Sequence, residues 1–482
     1  MRFKAIQRVL GALIGMSSVI ALPPMAIAWV LDEHTLGAFI DSAMVSAVLG
    51  GFLWFPVRNV DYDLRLRDGF FIVSATWWVV SLVTALPFVF GAPHLSYTDA
   101  VFEAASGLTT TGATMIVGLD VLPKSMLFYR QSLNFLGGMG IVILAVAILP
   151  MLKIGGTQLF RAESTGPTKD SKLTPRIAET AKALWIVYIA LNVLCAVAYW
   201  LGGMDLFDAI CHAMATLATG GFSTHDASFG YWDSSLLDSI ATVFMLLGGI
   251  NYGLHYMAWR RADAGLYFTD SETRAFFRIV AGAILLVTIA IWIGGDFATL
   301  GSSFRHAAFQ VVSNITTTGF GTTGFDQWSS FTPLLLVLLA VVGGCSGSTA
   351  GGVKVARVLM VLRQGLREVR QLIHPKGQFL VKMGGRRVSE RVVLSVGGFM
   401  SLYTVCFVGL VIMVNATGLD ILSSFGAVIA SIANLGPGLG VTASNFVGVN
   451  DMAVWLCTFA MILGRLEVFT VLVLLSPSFW RD

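Results

Sequence analysis

Phe-Glu-Ala-Ala-Ser-Gly-Leu-Thr-Thr-Thr-Gly-Ala-Thr occupies residues 102–114. The stretch is too apolar for a watery loop and too short to cross a membrane, and it closes on threonines and a glycine. The outline recurs as Cys-His-Ala-Met-Ala-Thr-Leu-Ala-Thr-Gly-Gly-Phe-Ser (211–223), Phe-Gln-Val-Val-Ser-Asn-Ile-Thr-Thr-Thr-Gly-Phe-Gly (309–321) and Gly-Ala-Val-Ile-Ala-Ser-Ile-Ala-Asn-Leu-Gly-Pro-Gly (426–438). The shared glycines are Gly112, Gly221, Gly319 and Gly436, spaced 109, 98 and 117 residues apart. Four residues before each stands Leu or Ile: Leu108, Leu217, Ile315 and Ile432. Repeats one and three match closely, and repeat four diverges most. Self-similarity of this kind marks repeated structure. A re-entrant half-helix fits each copy: it enters from outside, stops mid-membrane and returns as an extended strand. Irregular backbone at that depth is tolerated only where it is buried or lines water. Four such segments are therefore expected to line one pore.

Outward from these segments the chain is lipid-like. Of 482 residues 56% are hydrophobic and only 12% charged, against roughly 25% charged in soluble proteins. Mean hydropathy is +0.77, and apolar runs of about 20 residues, enough to cross a ~30 Å hydrocarbon core, recur along the whole length. Ten spanning helices are expected, at about 8–31, 36–57, 70–92, 125–152, 180–202, 234–258, 276–295, 332–362, 392–416 and 450–476. The first apolar run ends near Ala26-Ile27-Ala28, as a signal peptide does. It continues through Trp29, Val30 and Leu31, so an uncleaved span is expected. The last eight spans form pairs that flank the four segments. The expected architecture is an all-α polytopic membrane protein: an N-terminal helix pair (1–69) and four helix–pore-loop–helix repeats (70–153, 154–259, 260–370 and 371–482) around one pore.

Charge sets the orientation. Of 31 Lys and Arg, 26 lie in the N-terminus, the C-terminus or the segments 58–67, 153–182, 260–278 and 357–391. Excess Lys and Arg mark cytoplasmic links, so both termini are expected in the cytoplasm. The exceptions are Lys124, Arg130, Arg305, Lys354 and Arg465. A net charge of +3 gives no case for nucleic acid; the bases are orientation signals and contacts to lipid headgroups or an acidic partner. Cys195, Cys211, Cys345, Cys406 and Cys457 fall in apolar or Gly-rich segments without CxxC spacing, which supports neither a disulfide framework nor zinc.

A dehydrated potassium ion needs oxygens to replace its water, and backbone carbonyls supply them without fixed charge, so the ion can also leave. Aiming successive carbonyls at one axis needs dihedrals that glycine reaches most easily. The candidate ion-binding residues are Thr110, Thr111 and Gly112; Thr219, Gly220 and Gly221; Thr317, Thr318 and Gly319; and Asn434, Leu435 and Gly436. No ring of Glu or Lys stands at these positions, and the partly negative C-terminal ends of the half-helices favour a cation. Small residues also pack transmembrane helices together, but their recurrence at equivalent places in four helix pairs favours a pore. No carboxylate nearby stands out as a proton relay, which leans toward channel-like conduction over proton- or sodium-coupled symport.

Gly343-Gly344-Cys345-Ser346-Gly347-Ser348-Thr349-Ala350-Gly351-Gly352 interrupts the eighth span. Five glycines among ten small residues, at ~1 kcal/mol each, do not hold a helix. The run, below the four segments, is expected to be a flexible intramembrane gate, although a kink for close helix packing would use the same residues. Arg465 lies mid-span in the final helix, where an arginine is functional by default. It could contact carbonyls of this loop or place a positive barrier under the pore, while Glu467 should point elsewhere. The rival is an enzyme. Gly344-Cys345-Ser346-Gly347 resembles the nucleophile motif of rhomboid intramembrane proteases, with His212 or His255 as base. It leaves the other repeats without a role. A phosphate loop fails because Val353 follows Gly352 where lysine is needed.

These residues resemble the TrkH-type membrane subunit of the bacterial Trk potassium uptake system, in the Trk/Ktr/HKT superfamily, over essentially all 482 residues. The most specific stretches are 108–114, Gly-Gly-Phe-Ser-Thr-His-Asp (220–226), Asn-Leu-Gly-Pro-Gly-Leu-Gly (434–440) and Gly-Arg-Leu-Glu (464–467). The resemblance implies that Gly112, Gly221, Gly319 and Gly436 are filter glycines and that 343–352 is a gating loop. It implies that serine in place of Gly112 would go with sodium permeation. Thr318 stands where relatives often carry alanine. The resemblance further implies K+ as the ion with no organic cofactor, a bacterial inner-membrane location, a homodimer with one pore per protomer, and a cytosolic nucleotide-binding regulatory subunit docking near 153–182 and 357–391.

Overall fold

Hydropathy alone places most of the helices. The computed structural model describes residues 1–59, 65–140 and 177–481. Among these, six helices are long and apolar enough to cross a membrane: Phe3–Val30, Leu36–Val57, Arg67–Phe90, Ala181–Leu201, Ser271–Gly294 and Glu390–Asn415. They fall where the apolar runs predict them. Their outer faces keep large apolar side chains exposed, such as Phe52, Ile293 and Leu394, as a lipid-facing surface does.

The first two helices pack through small residues. A Cβ on Gly50 would strike the backbone of Gly15 and the carbonyl of Gly11, so the helices touch backbone to backbone. Glu33, in the turn between them, accepts hydrogen bonds from the N–H groups of Lys124 and Ser125. It thereby caps the helix Lys124–Gly138 and ties the pair to the first repeat. Overpacking costs about 1–3 kcal/mol, so Gly50→Val should lower the melting temperature in detergent. Gly51→Val, with nothing within 4 Å of its Cβ, should leave it unchanged.

Two expected spans are not continuous. Residues 234–258 divide into Ser235–Gly248 and Tyr252–Arg261, bent by 98°, and 450–476 into Asp451–Arg465 and Phe469–Leu475, bent by 117°. Gly248-Gly249 ends the first helix, and the Asn251 side chain caps the next by accepting from the Gly253 N–H. In the last repeat Glu467 and Val468 take positive φ (54° and 28°), which no helix continues through. Residues 332–362 are broken as expected, into Thr332–Val342 and Val355–Ile373. The expected span 125–152 begins as Lys124–Gly138; its end, and residues 153–176 of the basic segment, lie outside the described residues. Among the described residues the all-α expectation has one exception. Lys382–Met383 pairs antiparallel with Arg386–Arg387 across Gly384-Gly385, both at positive φ, as a tight hairpin turn demands.

Four short helices sit between the spans: Tyr97–Leu108, Leu206–Ala218, Leu300–Ile315 and Ile421–Ile432. Each starts on a side chain that accepts from the N–H three residues on: Ser96 from Asp99, Asp205 from Asp208, Thr299 from Ser302 and Asp420 from Ser423. Such caps each contribute about 1 kcal/mol and fix where each short helix begins. The two largest parts of the apolar core lie one around the first and fourth short helices and the other around the second and third.

Candidate functional site: four glycine segments in a closed ring

The four short helices end in the same way. The N–H groups of Thr111, Gly220, Thr318 and Leu435 bond to the carbonyls five residues back, on Ser106, Ala215, Ser313 and Ala430, at 2.8–2.9 Å. The residue before each of these donors is left-handed: Thr110, Thr219, Thr317 and Asn434 have φ of 53°, 53°, 54° and 55°. This is the helix-ending turn that glycine usually makes. A β-branched residue there is strained and held by its surroundings. Gly112, Gly221, Gly319 and Gly436 follow, at φ of 83°, 69°, 83° and 98°.

Each glycine lies against the next segment. A Cβ on Gly112 would meet the carbonyl oxygen of Gly220, one on Gly221 that of Thr318, one on Gly319 that of Leu435 and one on Gly436 that of Thr111. The contacts run one to two, two to three, three to four and four back to one. The twelve candidate residues are thus brought together, with their polar side chains buried.

The side chains explain why the copies diverge. In repeats one and three Thr111 bonds Thr109 at 2.7 Å and Thr318 bonds Thr316 at 2.8 Å. In repeat two the Asn134 side chain fills the space a Cβ of Gly220 would need, so glycine replaces threonine. In repeat four Asn434 Nδ2 donates to Thr111 Oγ1 (2.9 Å) and to the Met461 carbonyl (3.0 Å), bracing its own segment to the first. Thr110 Oγ1, Asn134 Oδ1 and Asn434 Oδ1 are buried without a protein partner. Buried polar atoms of this kind call for water or an ion; Asn134 Nδ2 is left without a protein partner as well.

Residues 343–354 run from one broken half-helix to the other and touch the ring directly. The N–H of Gly351 donates to Thr317 Oγ1 at 2.7 Å and that of Gly352 to the Ala433 carbonyl at 3.1 Å. Thr349 Oγ1 donates to the Leu217 carbonyl at 2.8 Å, and the N–H of Cys345 to that of Gly249. The glycines are needed for closeness: a Cβ on Gly351 would strike the Ala433 carbonyl and one on Gly343 that of Gly351. Gly344, Ser346, Gly347 and Ser348 complete the turn, Ser348 Oγ donating to the Cys345 carbonyl. Arg465, only 6% exposed, donates from Nη1 to the Thr349 carbonyl (2.9 Å) and from Nη2 to that of Gly137 (2.8 Å). It links the loop to the glycine-rich end of the first repeat's second helix. Glu467 turns the other way and pairs with Arg357 at 2.5 Å.

Sequence reasoning missed two carboxylates. Glu272, 4% exposed, accepts from the Ser346 N–H (2.7 Å), the Ser346 hydroxyl (3.1 Å) and the Ala356 N–H (3.1 Å), holding both ends of the loop. Glu103 is fully buried behind the first segment and ion-paired with Arg130. A signal existed for Glu103, since Arg130 already broke the positive-inside pattern and intramembrane charges come paired. None existed for Glu272, which reads as an ordinary first-turn acid. With three bonds removed at about 1 kcal/mol each, Glu272→Ala should loosen the loop. In a variant retaining only Cys345, itself 1% exposed, maleimide labelling should quicken at least about fivefold.

The protease constellation is not assembled. Ser346 is bonded to Glu272, whereas His212 bonds Ser223 and the Asp208 carbonyl, and His255 bonds Tyr267 and the Leu247 carbonyl. In the links that follow the first two glycine segments, His225 bonds Asp120 and Asp208. That hydrogen bond holds the Asp120 carboxyl below the usual carboxylate range, and Asp226 accepts from the Gly118 and Leu119 N–H groups. The cluster fastens the loop after Gly112 to the loop after Gly221.

Residues 36–481 match the family model of TrkH, described as a cation transport protein. The chain is 47% identical over 483 residues to the Trk system potassium uptake protein TrkH of Escherichia coli strain K12, with 100% of each covered. It is 48% identical over 487 residues to that of Vibrio parahaemolyticus serotype O3:K6, again with 100% of each covered. The crystal structure of the potassium transporter TrkH from Vibrio parahaemolyticus matches with a TM-score of 0.91 at 46% identity, covering 100% of both chains. The family is one of transporters, not enzymes. From its glycine segments to its full length, this chain is a member of the TrkH family of cation transport proteins.

Proposed function

We propose that the protein carries potassium into the bacterial cell across the inner membrane, through a selectivity filter of backbone carbonyls contributed by the four glycine segments. The observation that supports this most is the cyclic contact of Gly112, Gly221, Gly319 and Gly436, each against the carbonyl preceding the next glycine. Four copies of one strained backbone turn aimed at a common centre are hard to account for by packing alone. Carbonyl cages bind a dehydrated cation firmly enough to admit it and weakly enough to release it. On this reading the chain is an N-terminal helix pair (1–69) and four pore repeats (70–153, 154–259, 260–370 and 371–482), with both termini cytoplasmic. Residues 343–352, held by Arg465 and Glu272, close the pathway beneath the filter. The basic segments 153–182 and 357–391 receive a cytosolic nucleotide-binding subunit that releases the loop, and the protein works as a homodimer in the bilayer.

A proton- or sodium-coupled symporter on the same fold is the second reading, favoured by the buried carboxylates Glu103 and Glu272. Flux in proteoliposomes separates the two. Channel-like conduction gives potassium and rubidium uptake that follows the potassium gradient, excludes sodium and ignores an imposed proton gradient. Uptake driven by a proton or sodium gradient against that of potassium establishes symport. Purified protein passing no alkali cation in any state overturns both.

A further inference from the structure

Behind the ring, one buried charged pair ties the first two segments together. Glu103 Oε1 accepts from Arg130 Nε at 2.8 Å, with the two side chains 0% and 1% exposed. Glu103 also accepts from the Thr114 hydroxyl (3.0 Å) and from the Met115 N–H (2.8 Å), fastening the strand that returns from Gly112. Arg130 reaches across to the second segment. Its Nη1 donates to the Ser223 carbonyl (3.1 Å), its Nη2 to Thr114 Oγ1 (3.1 Å), and its guanidinium lies 4.2 Å over the Phe222 ring. The adjacent Gln131 donates to the Phe222 carbonyl at 2.9 Å. The backbone just beyond Gly112 and the backbone just beyond Gly221 are thereby bolted to one helix.

The repeat alignment shows that this brace is unequal around the ring. The position of Glu103 is held by His212, Gln310 and Ala427 in the other copies, and that of Thr114 by Ser223, Gly321 and Gly438. His212 still bonds Ser223 at 3.0 Å, Gln310 has buried amide atoms without a partner, and Ala427 can make no such bond. Only the first copy carries charge, and it alone crosses to a neighbouring segment through its arginine. A buried ion pair contributes little net stability over an apolar substitute; its stiffness and directionality are what an apolar pair would not supply. Where the fit of a carbonyl cage separates potassium from sodium, the cage must not shrink onto the smaller ion.

We propose that the Glu103–Arg130 pair is a specificity-determining brace, which fixes the separation of the first two filter segments and so sets discrimination between potassium and sodium. The proposal rests on the filter reading given above. Both are positioning residues, acting on the ion through the carbonyls they hold. The test measures potassium, rubidium and sodium flux in proteoliposomes for the wild type, Arg130→Lys and the double variant Glu103→Gln/Arg130→Gln. The double variant leaves no unpaired buried charge, so it folds where single neutralisations fail; a melting curve checks this. The expected result is a fall of at least about tenfold in the potassium-to-sodium flux ratio for the double variant. Arg130→Lys, which keeps the charge but cannot span Ser223 and Thr114 together, should fall in between. Ratios within about twofold of wild type in both variants, a difference under half a kcal/mol, overturn the brace. Gly112→Ser serves as the separate control: if it too leaves the ratio unchanged, the filter reading fails with the brace. If it alone changes the ratio, the filter stands and the brace falls.

Discussion

Gly221→Ala should reduce potassium uptake per unit of folded protein by more than about tenfold, with a lowered melting temperature. A left-handed backbone costs a non-glycine residue about 1–2 kcal/mol, and each 1.4 kcal/mol is a factor of ten in an equilibrium. That strain is the smaller part. At φ 69° the new methyl would sit on the Thr318 carbonyl oxygen, so the segment must shift and that carbonyl must leave the ring. Gly203→Ala isolates the strain from the clash. Gly203 has φ of 108° and nothing within 4 Å of the place a methyl would take, so its replacement should cost stability and leave flux intact. Equal flux loss in the two variants would mean that the ring contact is irrelevant. Tracer uptake per unit of folded protein, read beside thermal melts, makes the comparison.

Arg465→Ala should have the opposite effect, raising flux measured without any cytosolic partner. Its guanidinium holds the Thr349 and Gly137 carbonyls, and a hydrogen bond to a charged group contributes about 1.5–3 kcal/mol. On the gating reading proposed above, losing two of them shifts the loop's balance between closed and open by about a hundredfold or more. The variant removes a buried charge and frees the Thr349 and Gly137 carbonyls, which water can satisfy, so it should fold. Arg465→Lys reaches one carbonyl at a time and should give an intermediate increase. Unchanged flux together with unchanged regulation would remove Arg465 from the gate.

The two variants probe features that differ in how far the sequence discloses them. The ring is legible because one local turn is written four times: Thr110, Thr219, Thr317 and Asn434 each stand two residues before a glycine. The broken third-repeat helix is legible because five glycines in ten residues are a strong composition signal. The bends at 249–251 and 466–468 are not, because hydropathy is blind to a backbone turn when apolar residues flank it. Gly248-Gly249, Asn251 and the Gly464–Glu467 motif hint at them, and each is only a brief interruption of an apolar run. Glu272 and Glu103 escape for another reason. Their meaning lies in partners 74 and 27 residues away, Ser346 and Arg130, and no local pattern encodes such distances. The Lys382–Arg387 hairpin hides within a basic segment whose charges read as orientation signals.

Anomalous diffraction from crystals grown with rubidium or thallium decides whether carbonyls from all four segments hold one dehydrated ion. A peak is expected inside the ring, within coordinating distance of carbonyls preceding Gly112, Gly221, Gly319 and Gly436 alike. A protein that transports these ions yet shows its peaks only elsewhere, with the ring empty, would contradict it.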